Sequence, residues 1–216
     1  MLKFGDWINR KRHNRGFGIQ SPSTFFFITQ VLKERLPYYA YPTLENVAEE
    51  SSCSSRALKE LFRITNHLQP KSCIAVESPT AACAMALARP GAQHCSLTDK
   101  EVTQPLTTEI LERQGCQSLA GDTAQRLQET LARFQGTGMV YIGKDCTDRT
   151  IVQKAIEQAS DSSVIVMEAI HSSKERKQWW QSLVNSDSTV ITFDMYSYGL
   201  LFFSHERYKQ HYNLKR

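Results

Sequence analysis

The sequence of 216 residues predicts an α/β protein with a mostly parallel, seven-stranded sheet, a C-terminal antiparallel hairpin and an N-terminal helical extension. Two observations support this fold class. From residue 72 onward, short apolar runs alternate with amphipathic stretches in five strand–helix units, and such units require a parallel sheet with helices on both faces. The last two apolar runs are separated only by residues 195–199, which is typical of a hairpin at the sheet edge.

Each unit combines an apolar run, which predicts the strand, with apolar residues every three to four positions, which predict the helix. The predicted strands are residues 73–76, 93–98, 118–120, 139–142 and 163–167, and their helices are residues 80–88, 103–113, 123–134, 149–159 and 173–184. The hairpin strands are predicted over residues 189–194 and 200–203.

Residues 1–68 are predicted to form a basic arm and a helical extension that packs on the domain of residues 69–216. The pair Ser21-Pro22 is a favourable helix start, with Ser as the N-cap and Pro at the first helical position. Pro37 ends this helix, and a second helix is predicted over residues 56–68. Such an extension is compatible with a homodimer.

Composition excludes several classes of protein. The chain is 41% hydrophobic and 22% charged, as in an ordinary globular domain. It has no run of about 18 apolar residues, so we predict no membrane span. The N-terminus has no apolar segment of a secretory signal, and the six cysteines form no CxxC pair. We therefore expect free thiols and a cytoplasmic location.

The net charge of +4 comes from the first 16 residues, which carry five basic residues and one acidic residue. A basic arm of this kind either contacts nucleic acid or is a solvated terminus. We favour the solvated terminus and expect a small molecule, rather than nucleic acid, as the partner.

The strand–turn–helix unit over residues 72–88 predicts a ligand site. In an open α/β sheet, ligands bind at the carboxyl ends of the strands. A nucleotide cradle normally contains glycines that let the backbone approach the ligand, but residues 72–88 contain none. The turn reads Glu77-Ser78-Pro79 instead.

Five stretches resemble one protein family in their order and spacing. They are FGIQSP at residues 17–22, NHLQPK at 66–71, VYI at 140–142, IHSSKE at 170–175 and TFDMYSYGLLFF at 192–203. They resemble small bacterial O-methyltransferase-like proteins, which are class I S-adenosylmethionine-dependent methyltransferases related in fold to catechol O-methyltransferase. The resemblance implies a Rossmann-like methyltransferase fold and S-adenosylmethionine as the cofactor.

The resemblance also implies cofactor-binding positions. Glu77 and Ser78 lie in the first loop, where an ungapped alignment places the family's acid on Ala75 and its glycines on Glu77 and Ala81. If Glu77 is instead taken as the acid, the glycines are still absent.

Asp99 stands where the family has the acid that binds the ribose hydroxyls of the cofactor. Asp122 stands where the family has a residue that contacts the adenine amino group. The alternative is that Asp99 and Asp122 each cap the helix that follows.

The catechol-type enzymes hold Mg²⁺ with acids after strands four and five, and here those positions are degenerate. Gly143 stands at the first, and Glu168 is the one acid at the second, while Asp145 is displaced by two residues beside Lys144. Hard cations need several oxygen ligands, so we expect no metal site.

His171 and Glu168 are the candidate catalytic residues. His171 is placed either to take a proton from a hydroxyl group during methyl transfer or to cap or brace the helix start at Ser172-Ser173.

Two functions follow. The first is an O-methyltransferase that acts on a small hydroxylated molecule. The second is a catalytically inactive binding protein of the same fold, whose partner surface would include Tyr38, Tyr39, Tyr41 and the pair Trp179-Trp180. The three tyrosines either line a pocket or pack the extension on the domain.

Overall fold

The computed structural model describes residues 19 and 21–214, and one sheet organises them. In chain order its strands are β1 (Ser72–Val76), β2 (Gln93–Thr98), β3 (Gln117–Ala120), β4 (Thr137–Ile142), β5 (Ala159–Glu168), β6 (Ile191–Asp194), β7 (Tyr198–Phe202) and β8 (Gln210–Asn213). Their spatial order is β3-β2-β1-β4-β5-β7-β6-β8. Only β7 is antiparallel to its neighbours, β5 and β6, among the described strands. This confirms the predicted α/β fold class, with eight strands in place of the predicted seven.

Six of the described helices begin and end within two residues of the predicted positions, whereas the first helical stretch ends at Leu32 and not at Pro37. The described helices are α1 (Pro22–Phe26), α2 (Tyr41–Glu50), α3 (Ser55–Leu68), α4 (Pro79–Ala88), α5 (Pro105–Arg113), α6 (Thr123–Arg133), α7 (Arg149–Glu157) and α8 (Lys174–Asn185). Helix α1 continues as a π-helix over Phe27–Leu32, and its N-cap is Ser21, as predicted. No helix among the described residues is both long enough and apolar enough to cross a bilayer.

The hairpin does not form the edge of the sheet, contrary to the prediction. Strand β7 lies inside the sheet, and β8 pairs in parallel with the outer side of β6. The sequence of β8, QHYN, contains one apolar side chain, so its periodicity gives no strand signal. Pairing with β6 stabilises it, and the side chains of Thr192 and His211 hydrogen-bond at 2.7 Å.

Each face of the sheet carries its own core, because alternate strand residues point to opposite faces. In β1, Cys73 and Ala75 face the α2–α5 side, while Ile74 and Val76 face α6, α7 and α8. The first core extends from Phe27 through α3 to Tyr212, so the described part of the extension shares the core of the sheet domain. The division into residues 1–68 and 69–216 stays a prediction, and the basic arm lies outside the described residues.

Burial and ring packing decide two expectations about the aromatic residues. Trp179 and Trp180 are only 5% and 2% exposed, so the expectation that this pair forms a partner surface is wrong. The rings of Tyr38 and Tyr41 pack on Phe62 at centroid distances of 5.2 and 6.0 Å. These two tyrosines therefore pack the extension onto its own core.

Helix α2 was not expected, because residues 45–55 are mostly polar. Its three buried residues, Leu44, Val47 and Ala48, form a narrow apolar stripe on an otherwise polar helix. Packing of that stripe against α3 and α4 stabilises the helix.

Candidate active site

The carboxyl ends of the parallel strands place all the predicted site residues along one edge of the sheet. Glu77 follows β1, Asp99 follows β2, Asp122 follows β3, and Glu168 ends β5. His171 lies three residues after Glu168, before α8. The contacts divide these residues into the first loop with Asp99 and a second group around His171 and Glu168.

In the first loop, Glu77 adopts the backbone conformation that normally belongs to glycine. Its φ is +53°, in the left-handed region. Its Oε1 accepts a hydrogen bond from the backbone N–H of Asp99 at 2.9 Å, so the side chain turns towards the end of β2. Burial, followed by the nearby charge of Asp99, raises the pKa of Glu77. The conformation agrees with the alignment that places a family glycine at residue 77.

The start of α4 has no side-chain cap. Ser78 is the N-cap residue but makes no capping hydrogen bond, and Pro79 has no N–H group to offer. Cys53 lies in the loop between α2 and α3 and interacts with Thr80. Burial raises the pKa of the Cys53 thiol, and the nearby charge of Glu168 adds a smaller increase. The N-terminal extension therefore borders the first loop.

The capping alternative holds for one of the two cofactor acids. Asp122 Oδ1 accepts hydrogen bonds from the N–H groups of Ala124 and Gln125, both at 3.0 Å, and so caps α6. Asp99 does not cap α5, whose N-cap is Gln104. Cofactor contact by Glu77, Ser78, Asp99 and Asp122 stays a prediction.

His171 is paired with an acid that the sequence analysis missed. Its Nε2 lies 2.7 Å from Asp194 Oδ2, and its ring stacks on Tyr196 at a centroid distance of 5.1 Å. Asp194 Oδ1 accepts from the N–H of Tyr196 at 2.8 Å, which fixes the carboxylate. The proposed capping role of His171 is wrong, because Ser173 is the N-cap of α8.

The sequence contains a feature that could have identified Asp194 as a candidate site residue. It is the one charged residue of β6 and ends that buried strand, just as Asp99 follows β2. A carboxylate at the end of a buried strand is costly unless it has partners, and so it marks a candidate site.

Glu168 is held by two groups from the neighbouring strand and its loop. Its Oε2 accepts from the backbone N–H of Lys144 at 3.0 Å, and its carboxylate hydrogen-bonds with Tyr141. Burial, together with the charge and hydrogen bond of Glu168, raises the pKa of the Tyr141 hydroxyl well above its ordinary value.

The residues at the family's metal position do not fit a metal ion. Gly143 has no room for a side chain, since a Cβ there would lie 2.8 Å from the carbonyl carbon of Glu77. The buried guanidinium of Arg176 donates to the backbone carbonyls of Gly143, Cys146 and Glu168, which ties the two loops together. No group of three potential metal ligands occurs among the described residues.

Comparisons with known proteins identify the fold. No protein-family model and no curated protein matches the sequence. The structure is similar to the O-methyltransferase TomG of Streptomyces achromogenes, solved in complex with SAM, with a TM-score of 0.60, 14% identity and coverage of 83% of this chain and 94% of that one. It is also similar to an O-methyltransferase of Bacillus cereus solved with SAH, with a TM-score of 0.60, 12% identity and coverage of 82% and 95%.

A third similar structure is a putative caffeoyl-CoA O-methyltransferase of Staphylococcus aureus. Its TM-score is 0.61 at 7% identity, over 77% of this chain and 93% of that one. At such low identity, this likeness establishes the architecture alone. The chain therefore has the fold of the class I S-adenosylmethionine-dependent O-methyltransferases.

Proposed function

We propose that the protein is an S-adenosylmethionine-dependent O-methyltransferase acting on a small hydroxylated molecule, with His171 as general base and Asp194 as its positioning partner. The observation that carries this proposal is the 2.7 Å contact between His171 Nε2 and Asp194 Oδ2 at the carboxyl edge of the sheet. Fold alone does not establish an activity, whereas an oriented imidazole supplies the proton acceptor that the reaction needs.

The pairing determines which nitrogen of His171 acts. A carboxylate beside Nε2 favours the tautomer that carries its proton there, which leaves the lone pair on Nδ1. Nδ1 then accepts the proton of the acceptor hydroxyl as that oxygen forms its bond to the methyl carbon. Asp194 stabilises the resulting imidazolium, and stacking on Tyr196 keeps the ring in one orientation.

The backbone conformation of the first loop supports this proposal, and the loop carries polar groups that could contact a cofactor. The left-handed conformation of Glu77 follows the path that a glycine would give, and its side chain lies on β2. Asp99 and Glu77 would hold the ribose hydroxyls, Asp122 the adenine and Ser78 the amino-acid part. When bound, S-adenosylmethionine supplies a methyl group activated by a sulfonium.

A second candidate function is that of an inactive binding protein of this fold. It is favoured by one specific observation: the alignment places family glycines on Glu77, in the first loop, and on Ala81, in the first turn of α4, and both residues carry a Cβ. A Cβ at a position of close approach can exclude a ligand.

Calorimetric titration of S-adenosylmethionine and S-adenosylhomocysteine into the full chain tests the proposal. We expect a Kd of about 1–100 μM, weakened about tenfold by Asp99→Asn, since a hydrogen bond to a charged group is lost. Asp187→Asn, a change in an exposed acid near the end of α8, is the matched control. Absence of binding at about 1 mM ligand would refute the proposed methyltransferase function. The second candidate function, an inactive binding protein, would then stand.

A further inference from the structure

A buried cation joins the two loops that correspond to the metal position of the catechol-type enzymes. In those enzymes, acids after strands four and five hold Mg²⁺, whereas the loops after β4 and β5 are joined here by the guanidinium of Arg176, a residue that is 7% exposed. Its Nη2 donates to the carbonyl oxygens of Gly143 at 2.9 Å and Glu168 at 3.0 Å. Its Nε donates to Glu168 O at 3.2 Å, and its Nη1 donates to Cys146 O. One side chain of α8 therefore holds both loops.

The charges around Arg176 suit a fixed cation and disfavour a second one. Burial lowers the pKa of Arg176, and the charges of nearby acidic groups, including Glu168 and Asp145, oppose that change. An arginine keeps its charge at neutral pH. Two cations at short distance repel each other, so a divalent ion between the same loops would have to overcome the charge of Arg176. The carboxylate of Glu168 is also engaged already, with the N–H of Lys144 and the hydroxyl of Tyr141.

A guanidinium group can perform one function of a metal ion but not another. It has five N–H groups in fixed directions, so it orders several oxygen atoms at once, as a metal ion does. Four hydrogen bonds to backbone carbonyls engage all three nitrogens of Arg176. A metal ion in an active site also keeps positions open for substrate oxygens. Arg176 therefore orders the two loops without offering a place to chelate an acceptor.

The contacts of Arg176 reach the candidate base through the backbone. Glu168, whose carbonyl accepts two of the hydrogen bonds, is followed by Ala169, which has a φ of +57° and donates its N–H to Ser197 O at 2.6 Å. His171 lies two residues further and contacts its carboxylate partner from this turn. Arg176 on one side and Ser197 on the other therefore fix the turn that carries His171.

We propose that Arg176 takes the place of a metal ion in this chain: it joins the loops after β4 and β5 and thereby positions His171 without a divalent cation. The role of His171 as a base rests on the proposed function, whereas the ordering of its side chain by Arg176 can be measured without turnover. Arg176 is a positioning residue, because it acts through the carbonyl of Glu168 and the turn that follows.

The test follows the ring signal of His171 by ¹H–¹³C NMR of the full chain, with ¹³C-labelled histidine and with His171→Gln for assignment. Stacking on Tyr196 displaces this signal upfield from that of the exposed His205. We expect Arg176→Ala to move the His171 signal most of the way towards that of His205, because the turn loses one of its two supports.

Added cations show which kind of cation the two loops require. In Arg176→Ala, about 10 mM methylguanidinium should restore the native position of the His171 signal, while the same concentration of Mg²⁺ should not. In the native protein, EDTA should change neither this signal nor the affinity for S-adenosylhomocysteine. Arg149→Ala is the matched control: Arg149 lies over the same Trp179 ring as Arg176, and its loss should leave the His171 signal in place.

Arg176→Lys carries the comparison if Arg176→Ala does not fold, and it should move the His171 signal part of the way, since an ammonium group lacks the planar fork. An unmoved signal in the variant that folds, failure of methylguanidinium to restore it in Arg176→Ala, restoration by Mg²⁺, or a response of the native protein to EDTA would overturn the inference. If the signal responds to Arg176 as expected while S-adenosylhomocysteine does not bind, the proposed enzyme is refuted and the positioning role of Arg176 stands.

Discussion

Gly143 packs directly on the backbone of Glu77. A Cβ at residue 143 would lie 2.8 Å from the carbonyl carbon of Glu77 and 2.9 Å from the carbonyl oxygen of Val76. The first loop thus has a side chain where the resembling family has a glycine, and the facing loop has a glycine where the catechol-type enzymes have an acid. Contact between the two loops explains why an acid does not fit at residue 143.

Replacing Gly143 by Ala should destabilise the fold by about 1–3 kcal/mol, the usual cost of forcing a methyl group into a packed site. For a chain of this size, each kcal/mol lowers Tm by about 2–4 °C, so calorimetric unfolding detects the change. Lys144→Ala, at the exposed neighbouring position, is the control and should stay within about 0.5 kcal/mol. Equal stability of the two variants would contradict the predicted contact.

Replacing Arg176 by Met should cost about 3–5 kcal/mol, because a buried cation that ties three backbone carbonyls would be lost. Arg176→Lys should recover only part of this loss, since one ammonium group cannot reproduce the planar fork. Urea unfolding measures both changes, with the exposed Lys177→Met as the control. If Arg176→Lys were as stable as the native protein, the positive charge alone, and not the planar guanidinium, would account for the stabilisation at residue 176.

His171→Ala should reduce methyl transfer by about 100- to 10,000-fold, the contribution of a positioned general base. Asp194→Asn should also slow transfer, since the amide can accept from Tyr196 but no longer favours the active tautomer of His171. Product is followed by mass spectrometry with an acceptor found by screening. Affinity for S-adenosylhomocysteine should stay unchanged in both variants.

The exposed His205→Ala is the control for this experiment. Unchanged transfer in His171→Ala would remove the histidine from the mechanism. A parallel loss of S-adenosylhomocysteine binding would instead assign His171 and Asp194 to the ligand site.

Glu77→Gln should stabilise the protein at neutral pH. Burial and the charge of Asp99 raise the pKa of Glu77 above its ordinary value of 4.5, so ionisation is less favourable in the folded than in the unfolded state. The destabilisation is complete above the folded-state pKa and disappears as pH falls towards 4.5 and below. We expect a Tm gain of about 1–2 °C at neutral pH that vanishes in acid.

Glu101→Gln, which removes an exposed acid two residues beyond Asp99, provides the matched control. The same pH dependence in this control would assign the effect to net charge rather than to the Glu77–Asp99 contact.

Mg²⁺ should have no specific effect on the protein. The metal position of the catechol-type enzymes holds Gly143, and Glu168 is already hydrogen-bonded to Lys144 and Tyr141. At about 1 mM Mg²⁺, Tm and the affinity for S-adenosylhomocysteine should match those in sodium chloride of equal ionic strength. A saturable rise in Tm with Mg²⁺ would show that these residues can bind it.

Periodicity was sufficient to predict the sheet, because buried strands and amphipathic helices leave strong local patterns. It could not reveal β8, because the QHYN sequence takes its strand conformation from pairing with β6. It also could not reveal α2, because only three residues of that helix are buried. In the site, position after a predicted strand, together with the family resemblance, singled out Asp99 and His171, and their roles stay predictions. The pairing of His171 with Asp194 spans 23 residues and depends on strand order, which the local pattern does not contain.

The unequal burial of the six cysteines has a practical consequence for labelling. Cys73, Cys83, Cys95, Cys116 and Cys146 are buried, and burial raises the pKa of each thiol. Cys53 alone is exposed, beside Thr80 at the start of α4, and partial burial of its side chain also raises the pKa of its thiol. A maleimide fluorophore would therefore attach at one position of the native protein, beside the first loop, and report ligand binding there without any engineered cysteine.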